Sequence, residues 1–241
     1  MKPVAMIHAL VACAVCLFFA PPAAEAAEPV EIPINVGLGP AFFFGSGAIE
    51  DEQAPHFGVQ LDIGAIIDRR TLRKHRRKIP KKFRKAVAQS DEIKISKIYI
   101  PDHLVLSPRT KNTAIFGGSF KPISLAMPLV KSPVRLSVSA GLLLTYLFID
   151  TEFDDEEDAR ESEMPEGTTH FLRPGLDLKA ELTVPLSETL LLSAGWSSAL
   201  YIPQELGGDV FEAGDDLDNA LFHMGRAFVV LHFRIPYKTR I

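Results

Sequence analysis

VRLSVSAGLLLTYLFID, residues 134–150, alternates almost without a break. Val134, Leu136, Val138, Ala140, Leu142, Leu144, Tyr146 and Phe148 fall on one side. Arg135, Ser137, Ser139, Gly141 and Thr145 fall on the other, joined by Leu143 and Leu147. A period of two over this length is a β-strand with one apolar and one mixed face. Ordinary globular strands run to roughly 5–6 residues, and strands this long belong to closed barrels.

The same rule recurs along the chain. Glu31–Phe44 sets Ile32, Ile34, Val36, Leu38, Phe42 and Phe44 against Asn35, Gly37 and Gly39. His56–Asp68 sets Phe57, Val59, Leu61, Ile63, Ala65 and Ile67 against Gly58, Gln60, Asp62 and Gly64. In Thr169–Val184, Leu172, Leu176, Leu178, Ala180, Leu182 and Val184 alternate with Arg173, Gly175, Asp177, Lys179, Glu181 and Thr183. Thr189–Ile202 and Leu221–Tyr237 follow, the latter opposing Ala227, Val229, Leu231, Phe233 and Ile235 to Arg226, His232 and Arg234. Lys97–Leu106 and Thr113–Met127 are weaker strands, because Pro101 and Pro122 cannot donate to a ladder. The expected total is eight, an even number, as in bacterial single-chain barrels. The expected fold is an all-β, up-and-down antiparallel transmembrane barrel.

The N-terminus sets the compartment. Met1–Lys2 is a short positive start, Val4–Ala20 is apolar, and Ala24-Glu25-Ala26 is a small-residue cleavage motif. Residues 1–26 read as a secretory signal peptide, which leaves 27–241 as the barrel. Leu10-Val11-Ala12-Cys13 resembles a lipoprotein cleavage box, but the chain stays apolar to Ala20, where a lipidated protein would continue with a polar tether. Both cysteines, Cys13 and Cys16, lie in the signal, which excludes a disulfide framework and thiol chemistry from the mature chain. Cleavage removes one base, Lys2, and one acid, Glu25, so 25 of 26 Lys and Arg and 29 of 30 Asp and Glu remain, and the net charge stays at −4. No later apolar run approaches the ~20 residues of a membrane helix, so a membrane location requires strands.

Connections give an independent check. Residues 45–55, 151–167 and 203–219 hold three, nine and six carboxylates, 18 of the 29. Pro128–Pro133 and Pro185–Glu188 are short. With the first strand starting in the periplasm, every acidic loop falls on the outer side and both short turns on the inner, as in outer-membrane barrels. One segment departs from that pattern. Arg69, Arg70, Arg73, Lys74, Arg76, Arg77, Lys78, Lys81, Lys82, Arg84 and Lys85 crowd 11 cations into 17 residues on the periplasmic side. Leu72, Ile79, Phe83 and Val87 are sparse, so residues 69–95 read as a cationic, partly helical, weakly amphipathic insert that Pro80 starts or kinks.

In signal, strand pattern and loop sidedness over residues 28–237, the chain resembles the small eight-stranded outer-membrane barrels, in the general style of the outer-membrane-protein-A barrel domain. The resemblance implies a membrane-embedded monomer or small oligomer and transfers no functional residues. Such barrels usually end on an aromatic residue read by the assembly machinery, whereas this chain ends Tyr237-Lys-Thr-Arg-Ile241. Either Phe233 and Tyr237 act as an internal version of that signal, or the insertion route differs.

Chemistry is expected in the lumen. Arg173, Asp177, Lys179 and Glu181 share one strand face, and Asp62, Arg226, His232 and Arg234 face the same interior. An eight-stranded barrel is just wide enough for side chains to fill, and buried charges need partners. A salt-bridged plug is the simplest outcome, with a narrow polar pore or a ligand path as alternatives. The seven histidines form no metal-ligand spacing. Catalysis at the outer rim from His170 or His223 has no marked partner. Asp154–Asp158 and Asp215–Asp218 lack the spaced ligands of a calcium loop. No metal, cofactor or nucleic acid is expected. The insert suits anionic headgroups of outer-membrane lipids or the barrel's own acidic groups. The reading is a non-enzymatic outer-membrane barrel of envelope structure or surface interaction. A narrow solute channel and a soluble lipocalin-like barrel, with its leucines turned inward, are the alternatives.

Overall fold

A computed structural model describes residues 29–46, 55–68, 92–95, 101–110, 112–131, 134–153, 166–207 and 220–240. The expected signal peptide at residues 1–26, the cationic run Arg69–Lys85 and most of each acidic loop lie outside the described residues. The strands are β1 (Pro29–Gly45), β2 (His56–Asp68), β3 (Glu92–Ile95), β4 (His103–Thr110), β5 (Thr113–Lys131), β6 (Arg135–Thr151), β7 (Gly167–Pro185), β8 (Leu190–Glu205) and β9 (Ala220–Arg240). The chain divides into two compact units. Pro33–Ile235 forms the barrel, and the start of β1 and the end of β9 belong to the other unit.

Hydrogen bonds run round the barrel in the order β1, β9, β8, β7, β6, β5, β3, β2, and β1 pairs back onto β2. Among the described residues there are therefore nine strands, where about eight were expected. The extra one arises because β3 and β4 share a single gap: each pairs with β2 on one side and β5 on the other. Residues 92–95, placed in the insert by sequence, are strand. The long strands match the expected ones to within a few residues at each end, because alternation over 13 or more residues leaves little freedom of register.

Prolines fall where the ladder slips. The register shifts lie between Ser107 and Thr110, Phe120 and Ile123, Pro128 and Val130, and Leu200 and Gln204. Pro108, Pro122, Pro128 and Pro203 sit at these four places. A bulge leaves one residue without a ladder bond, so it costs least where the residue has no N–H to offer. Thr113–Lys131 thus stays one strand despite its two prolines.

Burial shows which way each face points. On β7, Leu178 is 45% exposed while Asp177 beside it is 1% exposed. Leu142, Leu144, Trp196, Leu200, Val229 and Phe233 are likewise exposed, and Thr145, Ser193, Ser197, Arg226 and His232 are buried. Leu142, Leu144, Leu176, Leu178, Leu182 and Leu200 face out, the reverse of the lipocalin-like alternative. The loop-side half of the interior holds an apolar cluster of Phe43, Val105, Ile115, Leu147, Ile149, Phe171, Leu221 and Met224, with His56, Ser107, Thr169, Arg173 and Gln204 buried in the same half. Leu147, and Leu143 of the same cluster, are its only members placed on an inner face from sequence. Loop side here means the end where Gly45 leads to His56, Thr151 to Gly167 and Glu205 to Ala220. The opposite end, where Lys131 leads to Arg135 and Pro185 to Leu190, is the turn side.

Closure between β1 and β9 needs close backbone approach. A Cβ on Gly39 would fall against the carbonyl of Val229, a backbone atom with no rotamer to yield. Gly39→Val should cost about 1–3 kcal/mol, as overpacking typically does. Its detergent-solubilised folded form should convert to the unfolded gel band at a lower temperature than wild type.

Candidate functional site

Midway along the barrel, three strand residues and one residue at a bend bring two cations and two carboxylates together. Lys121 Nζ lies 3.1 Å from Asp102 Oδ1 and 2.8 Å from Asp177 Oδ2. Arg226 reaches Asp102 Oδ2 at 3.4 Å and Asp177 Oδ1 at 3.6 Å. Each carboxylate is shared by both cations, so the quartet is neutral and alternates in sign around its edge. All four residues are nearly solvent-free. Ser197 takes a hydrogen bond from Arg226 at 2.9 Å and donates its own proton to Asp177.

Alternation accounts for Asp177 and Arg226 but not for the other two. Asp102 occupies a bend just before β4. There its N–H donates to Ser119 O at 2.6 Å, and its carbonyl accepts from Leu61 N at 2.8 Å and from Gln60 Nε2 at 2.9 Å. A continuous strand forbids successive side chains on one face. The bend lets Asp102 and His103 both point inward, and both are buried. Lys121 precedes Pro122 in a bulge. Before the bulge Ser119 and Lys121 are buried, and after it Ser124 is, so the inward parity changes there. Pro101 and Pro122 were the signals to hand, but each read only as weakening its strand.

A hydrogen-bonded chain leaves the quartet toward the apolar half. Arg226 donates to His103 Nδ1, which keeps the ring proton on Nε2. His103 Nε2 then donates to Ser119 Oγ at 3.0 Å, Ser119 to Thr145 Oγ1 at 2.5 Å, and Thr145 to Tyr201 at 3.1 Å. Tyr201 packs edge-on against Phe171, with ring centroids 5.2 Å apart. From His103 to Tyr201 the side chains are buried and linked one to the next, as interior polar groups require, while Arg226 Nε at the head of the chain has no hydrogen-bond partner.

The remaining lumen residues sort by level. Toward the turn side, Lys179 pairs with Glu181 and sits 5.5 Å from the centre of the Phe228 ring. Asp62 pairs with Lys94 and lies 3.6 Å from His232 Nδ1. Arg234 lines the same end. Arg173 is buried nearer the loops, donating to Leu172 O at 3.2 Å. His170 is not at a lumen rim. It is exposed, 2.8 Å from the Tyr146 hydroxyl and beside Phe148, on the outward face. His56 and Ser107 form a buried pair at 3.1 Å. Among the described residues no group of three His, Cys, Asp or Glu could hold a metal ion.

No protein-family model matches the chain, and no curated protein matches its sequence. Among solved structures it is similar to Neisserial surface protein A, at 10% identity over 85% of this chain and 97% of that one, with a TM-score of 0.46. A major outer membrane protein from Thermus thermophilus matches at 12% identity over 88% and 100%, with a TM-score of 0.44. The outer membrane protease OmpT from Escherichia coli matches at 7% identity over 90% and 99%, with a TM-score of 0.26. At these values no residue role is carried across, and the fold assignment rests on the hydrogen-bond ring itself.

Removing one member of a buried ion pair leaves its partner charged and dry, at about 3–5 kcal/mol. Asp177→Ala leaves Lys121 and Arg226 sharing Asp102 alone, one uncompensated positive charge in a nearly solvent-free site, so it should reach that range. Glu181→Ala leaves Lys179 unpaired in the more accessible turn-side cavity and should cost less. Thermal unfolding in detergent, read by the folded gel band, should rank wild type, Glu181→Ala and Asp177→Ala in descending order.

Proposed function

We propose that the chain is an integral outer-membrane β-barrel with a closed, charge-locked lumen, serving envelope structure or surface interaction and not catalysis. The observation that carries this reading is the inverted burial pattern, with leucines and aromatics exposed on the outward face and ion pairs sealed inside. Water would penalise such an exterior, whereas a bilayer core would welcome it. Strands of 13 residues or more, in all but β3 and β4, exceed the ~9–11 tilted residues needed to cross. The secretory signal read at residues 1–26 supports an envelope address.

Closure of the lumen draws on two layers. The quartet spans the middle, and Phe43, Leu147, Phe171 and Leu221 fill the loop-side half. A narrow channel is the second reading, favoured only by the open space at the turn side. The purified protein should stay folded in detergent and migrate faster unboiled than boiled. It should give no conductance steps in a planar bilayer. Recovery as a stable detergent-free monomer would sink the membrane assignment, and stepwise conductance would sink the closed lumen.

The cationic run Arg69–Lys85 joins β2 to β3, at the turn side. We assign it to anionic lipid headgroups, at roughly 1 kcal/mol per basic residue near a charged surface. Deleting Arg70–Lys85 should leave thermal stability intact and abolish binding to anionic liposomes. A fall in stability with liposome binding unchanged would instead make the run a cap on the barrel's own acids.

A further inference from the structure

Among the described residues, the turn-side half of the lumen is not filled. A partly open cavity of about 230 Å³ lies there, walled by the Lys94–Asp62 and Lys179–Glu181 pairs and by Asn35, His232, Arg135 and Arg234. Among its described lining residues four cations face two carboxylates. Both carboxylates are engaged by the lysines, which leaves the Arg234 guanidinium as a positive charge on the wall beyond those pairs.

The wall also holds polar atoms with nothing to bind. His232 Nε2, Asn35 Oδ1 and Arg234 Nε are buried without a hydrogen-bond partner. His232 is 2% exposed and Asn35 6%. Asn35 Nδ2 donates to His232 Nδ1 at 2.9 Å, which puts the ring proton on Nε2 and makes that nitrogen a donor without an acceptor. Buried polar atoms are normally satisfied. Three unsatisfied ones round a cationic cavity describe the ligand that would satisfy them. It must carry negative charge, accept from His232 and Arg234, and donate to Asn35.

We propose that this cavity is a phosphate-binding site built on Arg234, His232 and Asn35. Phosphate oxygens match the guanidinium fork, and a monoprotonated phosphate also supplies a hydroxyl for Asn35 Oδ1, which a carboxylate cannot. The phosphate could belong to a soluble phosphorylated compound or to a lipid headgroup. The site needs only the cavity, and holds whether or not the lumen above it conducts.

The test uses the full chain in non-ionic detergent at constant ionic strength, titrated with inorganic phosphate and followed by calorimetry and thermal unfolding. Saturable binding that chloride does not reproduce is expected. Arg234→Gln should weaken it about tenfold or more, the usual worth of a charge-assisted hydrogen bond. Arg234→Lys, which keeps the charge and loses the fork, should weaken it less, and Arg109→Gln, outside the cavity, should not change it. Gel mobility checks that each variant is folded. Competition then identifies the source. Displacement by glycerol 3-phosphate as readily as by short-chain phosphatidic acid marks a soluble ligand, and tighter displacement by the lipid marks a headgroup. Absence of saturable binding for both inorganic phosphate and phosphatidic acid overturns the proposal, as does binding that Arg234→Gln leaves unchanged.

Discussion

Every other feature of this molecule depends on closure of its hydrogen-bond ring. On the proposed bilayer reading, a sheet whose outer face is leucine, phenylalanine and valine has no water on that face to satisfy a free strand edge. Unpaired N–H and C=O groups there would each cost several kcal/mol. Pairing β1 with both β9 and β2 removes the edges. Closure also fixes the size of the interior, and so decides what the interior can contain. Glycines such as Gly39, set against the backbone of β9, permit the approach.

Within that interior the chemistry changes from one end to the other. Aromatic and aliphatic side chains pack the loop-side half, an alternating charge quartet crosses the middle, and a cationic cavity occupies the turn side. A dry quartet is costly to assemble from water and cannot lose a member cheaply. Its worth therefore lies less in net stability than in holding β4, β5, β7 and β9 in one register. The hydrogen-bonded chain from His103 to Tyr201 extends that constraint into the apolar half without leaving a polar atom stranded.

Legibility in the sequence followed regularity. Where a strand alternates without interruption, as over 135–151 and 167–185, period and handedness of the faces put Asp177, Lys179, Glu181, Arg226 and His232 inside from sequence alone. Where the chain is irregular, the reading failed at the residues that matter most. Asp102 reaches the lumen through a bend, and Lys121 through a bulge at Pro122. Both devices break the period of two on which every other assignment rested.

The sequence by itself determined the all-β class, the long strands, the outward leucines, the side on which the acidic loops leave, and half of the central quartet. It could do so because side-chain direction in an extended chain is a local property, set by the pleat. Only the tertiary structure decided that β3 and β4 share one gap, that the loop-side lumen holds an apolar cluster, and which acid meets which base. Those outcomes depend on the stagger between strands far apart in the chain and on where bulges shift it. Neither quantity is written in the alternation of any one strand.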